Sequence, residues 1–179
     1  MNHLKCIKPK GINDPLLDKV EATYNDSFPP VERRDFSLVR NLLETEPDFT
    51  LLSLYWQDEY AGFITYWDLG GFLYVEHFAL DPSARNGGVG SKAMQIFLSE
   101  SELPVILEVE MPTDELSRRR IGFYERLGFV LDNTPYQQPP YRPDEGWFDM
   151  LLMAYGAIDL KKDFEKVRTA LYSRVYGVK

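Results

Sequence analysis

The chain has 179 residues, 44% of them hydrophobic, with a formal net charge of −8 and a single cysteine, long enough to bury a core without cross-links or a structural metal. The acidic balance disfavours nucleic acid, whose phosphates demand a positive face, and one cysteine with two histidines offers neither a disulfide nor zinc-ligand spacing, so no metal is expected. No apolar run reaches the roughly 20 residues of a membrane span, and the opening MNHLKCIKPKG lacks a signal-peptide pattern, so no membrane partner and a cytoplasmic location are expected.

Leu4 to Lys8 alternates like a first strand, ended by Pro9-Lys10-Gly11. Asp14 as N-cap and Pro15 at the first helical position predict a helix to about Asn25, broken by Ser27-Phe28-Pro29-Pro30. A second helix is predicted from Val31 or Glu32 to Glu44, with Phe36, Val39, Leu42 and Leu43 on one face. Phe49 to Trp56 and Ala61 to Asp68 read as hairpin strands about the polar turn Gln57-Asp58-Glu59. Leu69-Gly70-Gly71 leads into a strand over Phe72 to Leu80, rich in aromatic and β-branched residues and closed by Asp81-Pro82.

From Gly90 the apolar period becomes helical, with Met94, Phe97 and Leu98, through Ser101. Between strand and helix stands Arg85-Asn86-Gly87-Gly88-Val89-Gly90. Three glycines in four positions remove the Cβ atoms that would hold a ligand off the backbone, so successive N–H groups can converge on an anion. Neither a Walker loop nor a dinucleotide fingerprint fits, because Ser91-Lys92 follows Gly90 in the wrong order and the glycines lack the Gly-x-Gly-x-x-Gly spacing.

A strand over 105–111, started by Pro104, completes a βαβ unit whose two strands run parallel. Pro112-Thr113-Asp114-Glu115 caps a helix to about Leu127, with Gly128 placed to end it. Phe129 to Asp132 and Trp147 to Tyr155 read as strands. Between them, residues 133–146 hold four prolines and are predicted to be irregular, a long loop of the kind that carries function. From Asp159 an amphipathic helix carries Leu160, Phe164, Val167 and Leu171.

Arg85-x-x-Gly88-x-Gly90, following Phe78-Ala79-Leu80-Asp81-Pro82, resembles the Arg/Gln-x-x-Gly-x-Gly/Ala signature of the GNAT superfamily of acyl-CoA-dependent N-acyltransferases. Ile121 to Phe129, with Phe123-Tyr124 and Gly128-Phe129, resembles that family's F-Y-x-x-x-G-F segment. The resemblance covers about residues 4–155 and implies an α/β (α+β) fold, with a mixed, mostly antiparallel central sheet, a splayed parallel strand pair and flanking helices. The predicted order βααβββαβαββ agrees with it. The expected organisation is an acetyltransferase domain over residues 1–155, with 156–179 as a C-terminal amphipathic helix that the resemblance does not explain.

The resemblance further implies acetyl-CoA as co-substrate. Its pyrophosphate would lie on the N–H groups of Asn86, Gly87, Gly88, Val89, Gly90 and Ser91, with Arg85 adding charge. Its pantetheine would bond the backbone of Phe78, Ala79 and Leu80, and the thioester oxygen would meet the N–H of Leu80 or its neighbour. Tyr124 is the expected acid, since a phenol of ordinary pKa about 10 nearly matches an alkyl thiol; core packing with Ile121 and Gly128 is the other reading. Glu76, on one strand face with Tyr74, is the expected base or an anchor for a cationic substrate, while His77 points the other way and reads as structural.

Glu108 and Glu110 alternate with apolar residues in the neighbouring strand, so either one joins an acidic acceptor site or both are solvated near a strand end. Arg118-Arg119-Arg120 reads as a solvated helix face. Phe28 and the stretch from Tyr136 to Tyr141 would wall the acceptor. The expected function is acetyl transfer to a primary amine of a small molecule, amino-acid derivative or peptide. The alternatives are transfer to a protein lysine or N-terminus, and a silent CoA-binding module that dimerises through the last helix.

Overall fold

A computed structural model describes residues 3–179; residues 1–2 of the expected domain lie outside the described residues. The elements in chain order are β1 (Leu4–Ile7), α1 (Leu16–Ser27), α2 (Phe36–Thr45), β2 (Phe49–Trp56), β3 (Glu59–Asp68), β4 (Leu73–Leu80), α3 (Val89–Glu100), β5 (Val105–Glu110), α4 (Glu115–Arg126), β6 (Val130–Gln138), β7 (Phe148–Tyr155) and α5 (Leu160–Ala170), the last continued by a π-helical turn over Leu171–Val175. The strands form one sheet in the order β1-β2-β3-β4-β5-β7-β6. Its one parallel register sets Leu73, Tyr74 and Val75 of β4 against Val105, Ile106 and Leu107 of β5.

By compactness the chain divides into two units. One runs to Trp67 and resumes over Glu76–Phe97; the other comprises Asp68–Val75 and Leu98–Lys179. In the first, Asp14 accepts from the Leu16 N–H at 3.0 Å, capping α1, and Leu17, Val20 and Tyr24 recur at helical spacing into the core. Gln57 and Asp58 both take positive φ, 52° and 68°, the two-residue turn whose twist suits a hairpin. In the second, Asp114 caps α4 by accepting from the Ser117 N–H at 2.7 Å, and Leu160, Phe164, Val167, Leu171 and Val175 are buried, which carries the helical stripe through the π turn.

Two boundaries differ from the sequence expectation. The second helix does not begin at Val31 or Glu32: Pro30–Glu32 make a single 3-10 turn and Arg33 is extended, with φ −144° and ψ 161°. A stretch around Arg33 and Arg34 is drawn out of helix by bonds to the preceding helix end, Arg33 Nε donating to the Phe28 carbonyl at 2.8 Å and the Arg34 N–H to Tyr24 Oη at 2.9 Å. The proline-rich segment is not irregular throughout, because β6 runs to Gln138. Its pairing to β7 shifts register between Asp132 and Tyr136, and β6 closes the sheet order. A proline is tolerated at a bulge of an edge strand, where its missing N–H leaves no ladder bond unmade.

Candidate active site

The glycine loop belongs to the first unit. Asn86 and Gly88 take positive φ, 66° and 74°, and α3 starts at Val89 immediately after. Among the described residues, none of the six backbone N–H groups from Asn86 to Ser91 has a protein acceptor; the first such bond in the helix is Lys92 N–H to the Gly88 carbonyl at 3.2 Å. Six free donors at the positive end of a helix fit a pyrophosphate. A Cβ on Gly88 would meet nothing within 4 Å, so its backbone conformation, not crowding, is what selects glycine there.

Arg85 follows the loop's first turn and is partly committed. Its Nε donates to the Leu80 carbonyl at 3.1 Å, and Nη2 reaches Asp26 Oδ2 at 3.2 Å and Ser27 Oγ at 3.4 Å. The loop is thereby clipped to the end of β4 and to α1. Beside β4, Gly62 has φ 150°, and a Cβ there would lie 2.2 Å from the Ala79 carbonyl oxygen and 2.9 Å from Leu80 Cα. The β2–β3 register shifts at the same place, between Leu54 and Tyr55, so a bulge brings β3 backbone hard against residues 79 and 80.

Glu76 is placed differently from a free base. Its side chain is 2% exposed, against 15% for that of Arg34. Arg34 donates to its Oε1 from Nη2 at 2.7 Å and Nε at 3.2 Å, and Trp67 Nε1 donates to Oε2 at 3.3 Å. Burial works against the charge, but the guanidinium outweighs it, with help from His77 and the donors, and holds the carboxyl below its ordinary range. His77 is structural in the same unit: its Nε2 donates to the Glu32 carbonyl at 2.9 Å, it packs edge-on against Tyr24 and Phe28 with centroids 4.9 and 4.6 Å away, and burial lowers its pKa. Phe28 is thus engaged with His77 as well as with Tyr24.

The second unit holds a different carboxylate. Glu108, on β5, accepts from Tyr136 Oη at 2.6 Å, from Tyr176 Oη at 3.0 and 2.9 Å, and from Gln138 Nε2. Tyr74 Oη lies 3.0 Å from Tyr176 Oη. All these partners are neutral, and among the described residues Glu108 has no ion-pair partner. Burial pushes its pKa up to about 7, opposed by the hydrogen bonds from Tyr136, Tyr176, Gln138 and Tyr74. The same negative neighbour and burial raise Tyr136 and Tyr176. Tyr141 reaches the group through its ring, 5.4 Å from that of Tyr176.

Tyr74, Glu108, Tyr136 and Tyr141, which the sequence singles out separately, are therefore brought together. Glu110 is not with them: Arg120 Nη1 and Ser117 Oγ each donate to it at 3.2 Å, an ion pair to α4 that is partly solvated. Arg118 donates to the Pro112 carbonyl at 3.2 Å. Tyr124 on α4 is 9% exposed, packs against Phe123 and Phe129, and among the described residues its hydroxyl has no protein hydrogen bond. Burial pushes its pKa up to about 12, so it is a weaker acid than the unperturbed phenol of the sequence reading. Sequence reasoning passes over Arg34, Gln138 and Tyr176. For Tyr176 a signal exists, since Tyr172 and Tyr176 stand four apart, flanking the buried stripe of the last helix.

Among the described residues no helix is long and apolar enough to cross a membrane, and no three or more His, Cys, Asp or Glu side chains cluster as metal ligands. The sequence model of the acetyltransferase (GNAT) family matches residues 17–129, and the chain belongs to that family. A GNAT-family chain from Bacteroides thetaiotaomicron is 39% identical, with TM-score 0.92 and 99% of each chain covered. The ribosomal-protein-S18-alanine N-acetyltransferase from Escherichia coli shares the fold at 20% identity and TM-score 0.60, over 86% of this chain and 92% of that one. An aminoglycoside 6'-N-acetyltransferase complexed with coenzyme A does so at 17% identity and TM-score 0.58, over 88% and 98%. No curated protein sequence matches the chain.

Proposed function

We propose that the protein transfers an acetyl group from acetyl-CoA to a primary amine of a small molecule, amino-acid derivative or peptide, by direct attack with both substrates bound. The observation that carries this is the row of six backbone N–H groups from Asn86 to Ser91 without protein acceptors at the head of α3, which suits the carrier's pyrophosphate. The backbone of Phe78, Ala79 and Leu80 would line the pantetheine arm. Arg85 clips the loop and adds positive charge. When bound, acetyl-CoA supplies the activated acetyl thioester.

Two side chains handle protons. An alkylammonium, with pKa about 10, must be deprotonated before its nitrogen can attack. Glu108, near 7 and surrounded by neutral donors, takes that proton directly or through water, because a base poised near the working pH is the most effective one. Glu76 is better suited to holding Arg34 than to accepting a proton, since both its oxygens are taken up and its pKa is lowered. Tyr124, protonated throughout the neutral range, supplies the proton for the departing thiolate.

Thermal stability with acetyl-CoA, CoA and ATP, followed by thiol release against a panel of small amines, peptides and lysine-bearing proteins, tests the reading. Stabilisation by both CoA ligands and thiol release with an amine are the expected results. No stabilisation by either would remove the carrier assignment, and stabilisation without thiol release from any amine would leave a silent binder.

A further inference from the structure

The C-terminal segment lies outside residues 17–129 matched by the family, yet it ends in the Glu108 cluster. Helix α5 gives way at Leu171 to a π-helical turn, closed by Tyr176 N–H to the Leu171 carbonyl at 3.1 Å. Such turns admit an extra residue and re-aim the side chains beyond them. Val178 N–H then bonds the Tyr172 carbonyl at 2.7 Å, which ties the chain down past the turn. Leu171 and Val175 anchor the turn in the core, 0% and 4% exposed.

The hydroxyl so delivered both donates and accepts. It has one proton and two lone pairs. The proton goes to Glu108, 2.9–3.0 Å from both its oxygens, a lone pair accepts from Gln138 Nε2 at 3.0 Å, and Tyr74 Oη, itself a donor to Glu108, lies 3.0 Å away. Tyr176 therefore touches Tyr74 on β4, Glu108 on β5 and Gln138 on β6, while Tyr136 makes its own bond to Glu108.

We propose that Tyr176 is a positioning residue for Glu108, so that the proton acceptor of this enzyme is assembled jointly by the family core and the C-terminal turn. The proposal rests on the reading of Glu108 as the base. The titratable groups facing Glu108 are Tyr74 from β4, Tyr136 from β6 and Tyr176 from the C-terminal turn, with Tyr172 of the same turn beyond. All are neutral phenols. Tyr136 meets Oε1 and Gln138 meets Oε2, whereas the Tyr176 hydroxyl lies within 3.0 Å of both oxygens.

The test is Tyr176→Phe, which keeps the ring and its packing on Tyr141. Losing a donor to the ionised form makes that form less favourable, so Glu108 should titrate about one unit higher. Two readouts follow: the acid limb of the kcat/KM profile, and the carboxylic C=O infrared band of Glu108 in the free protein, assigned by difference from Glu108→Gln. Both should move upward together, with Tyr136→Phe as a second variant of the same sense should the first fold poorly. An unmoved band and limb in a folded Tyr176→Phe, even with lower thermal stability, would make Tyr176 merely structural and overturn the proposal. Full turnover in Glu108→Gln would instead overturn the base reading, and this inference with it.

Discussion

The hydroxyl of Tyr136 donates to Oε1 of Glu108 at 2.6 Å across 28 residues of sequence, and it does so from a strand interrupted by a proline. Glu108→Gln removes the ionisable group and keeps the shape. Turnover should fall 10²–10⁴-fold at pH 7 with little change in acetyl-CoA affinity, and the acid limb of the kcat/KM profile near pH 7 should disappear. Steady-state kinetics from pH 5.5 to 9 would check it; a retained limb would pass the role to another group.

The same carboxylate makes a stability prediction. Its folded pKa of about 7 exceeds the ordinary value, so the native state binds the extra proton between about pH 4.5 and 7 and stability falls as pH rises through that window. The contribution is roughly 2–4 kcal/mol by pH 8. Glu108→Gln, neutral at every pH, should gain stability relative to the parent as pH rises from 4.5 to 8, measured by denaturant melts. A pH-independent difference would refute it.

Glu76 should behave oppositely. Its depressed pKa contributes stability that is present above the unfolded value and lost as pH falls through the folded one. Arg34→Met strands a buried carboxylate and should cost about 3–5 kcal/mol at pH 7, shrinking toward pH 4 as Glu76 protonates. Melts of the variant across that range would show whether the ion pair is structural.

Gly88→Asp puts a side chain at φ 74°, where L residues are strained, and a negative charge beside the free amides. The thermal shift with CoA and acetyl-CoA should vanish while the unliganded melting temperature falls by only a few degrees. A persistent shift would remove the loop from the carrier site.

Tyr124→Phe deletes a hydroxyl without a protein partner, so stability should change by less than about 0.5 kcal/mol while turnover falls about 10²-fold. Unchanged turnover would leave Tyr124 as core packing.

Much of the architecture was legible because it is local. Periodicity located the helices and strands to within about two residues, apart from the start of α2 and the end of β6, and Gly87-Gly88-Val89-Gly90 advertised a helix head with free amides. Tyr74 and Glu108 were visible as polar groups in apolar strands and Tyr136 as an aromatic of the proline-rich loop, but not as one cluster, since their meeting depends on strand order. Two features were hidden for physical reasons. Arg34 falls inside the helix predicted from Val31 or Glu32, and only the extended backbone at Arg33 carries it to Glu76, 42 positions away. Pro135 forbids a central strand, yet β6 lies at an edge with a register shift beside it, where the prohibition lapses.

Gly62 leaves no room for a side chain. Since any β-carbon there would overlap the Ala79 carbonyl at 2.2 Å, replacement shifts the backbone that the carrier would line up against, with no functional group lost. A saturation-mutagenesis screen scored on activity would rank residue 62 beside the proton-handling side chains. Its contribution is a vacancy, and substrate-profiling variants are best sought elsewhere on the strand pair.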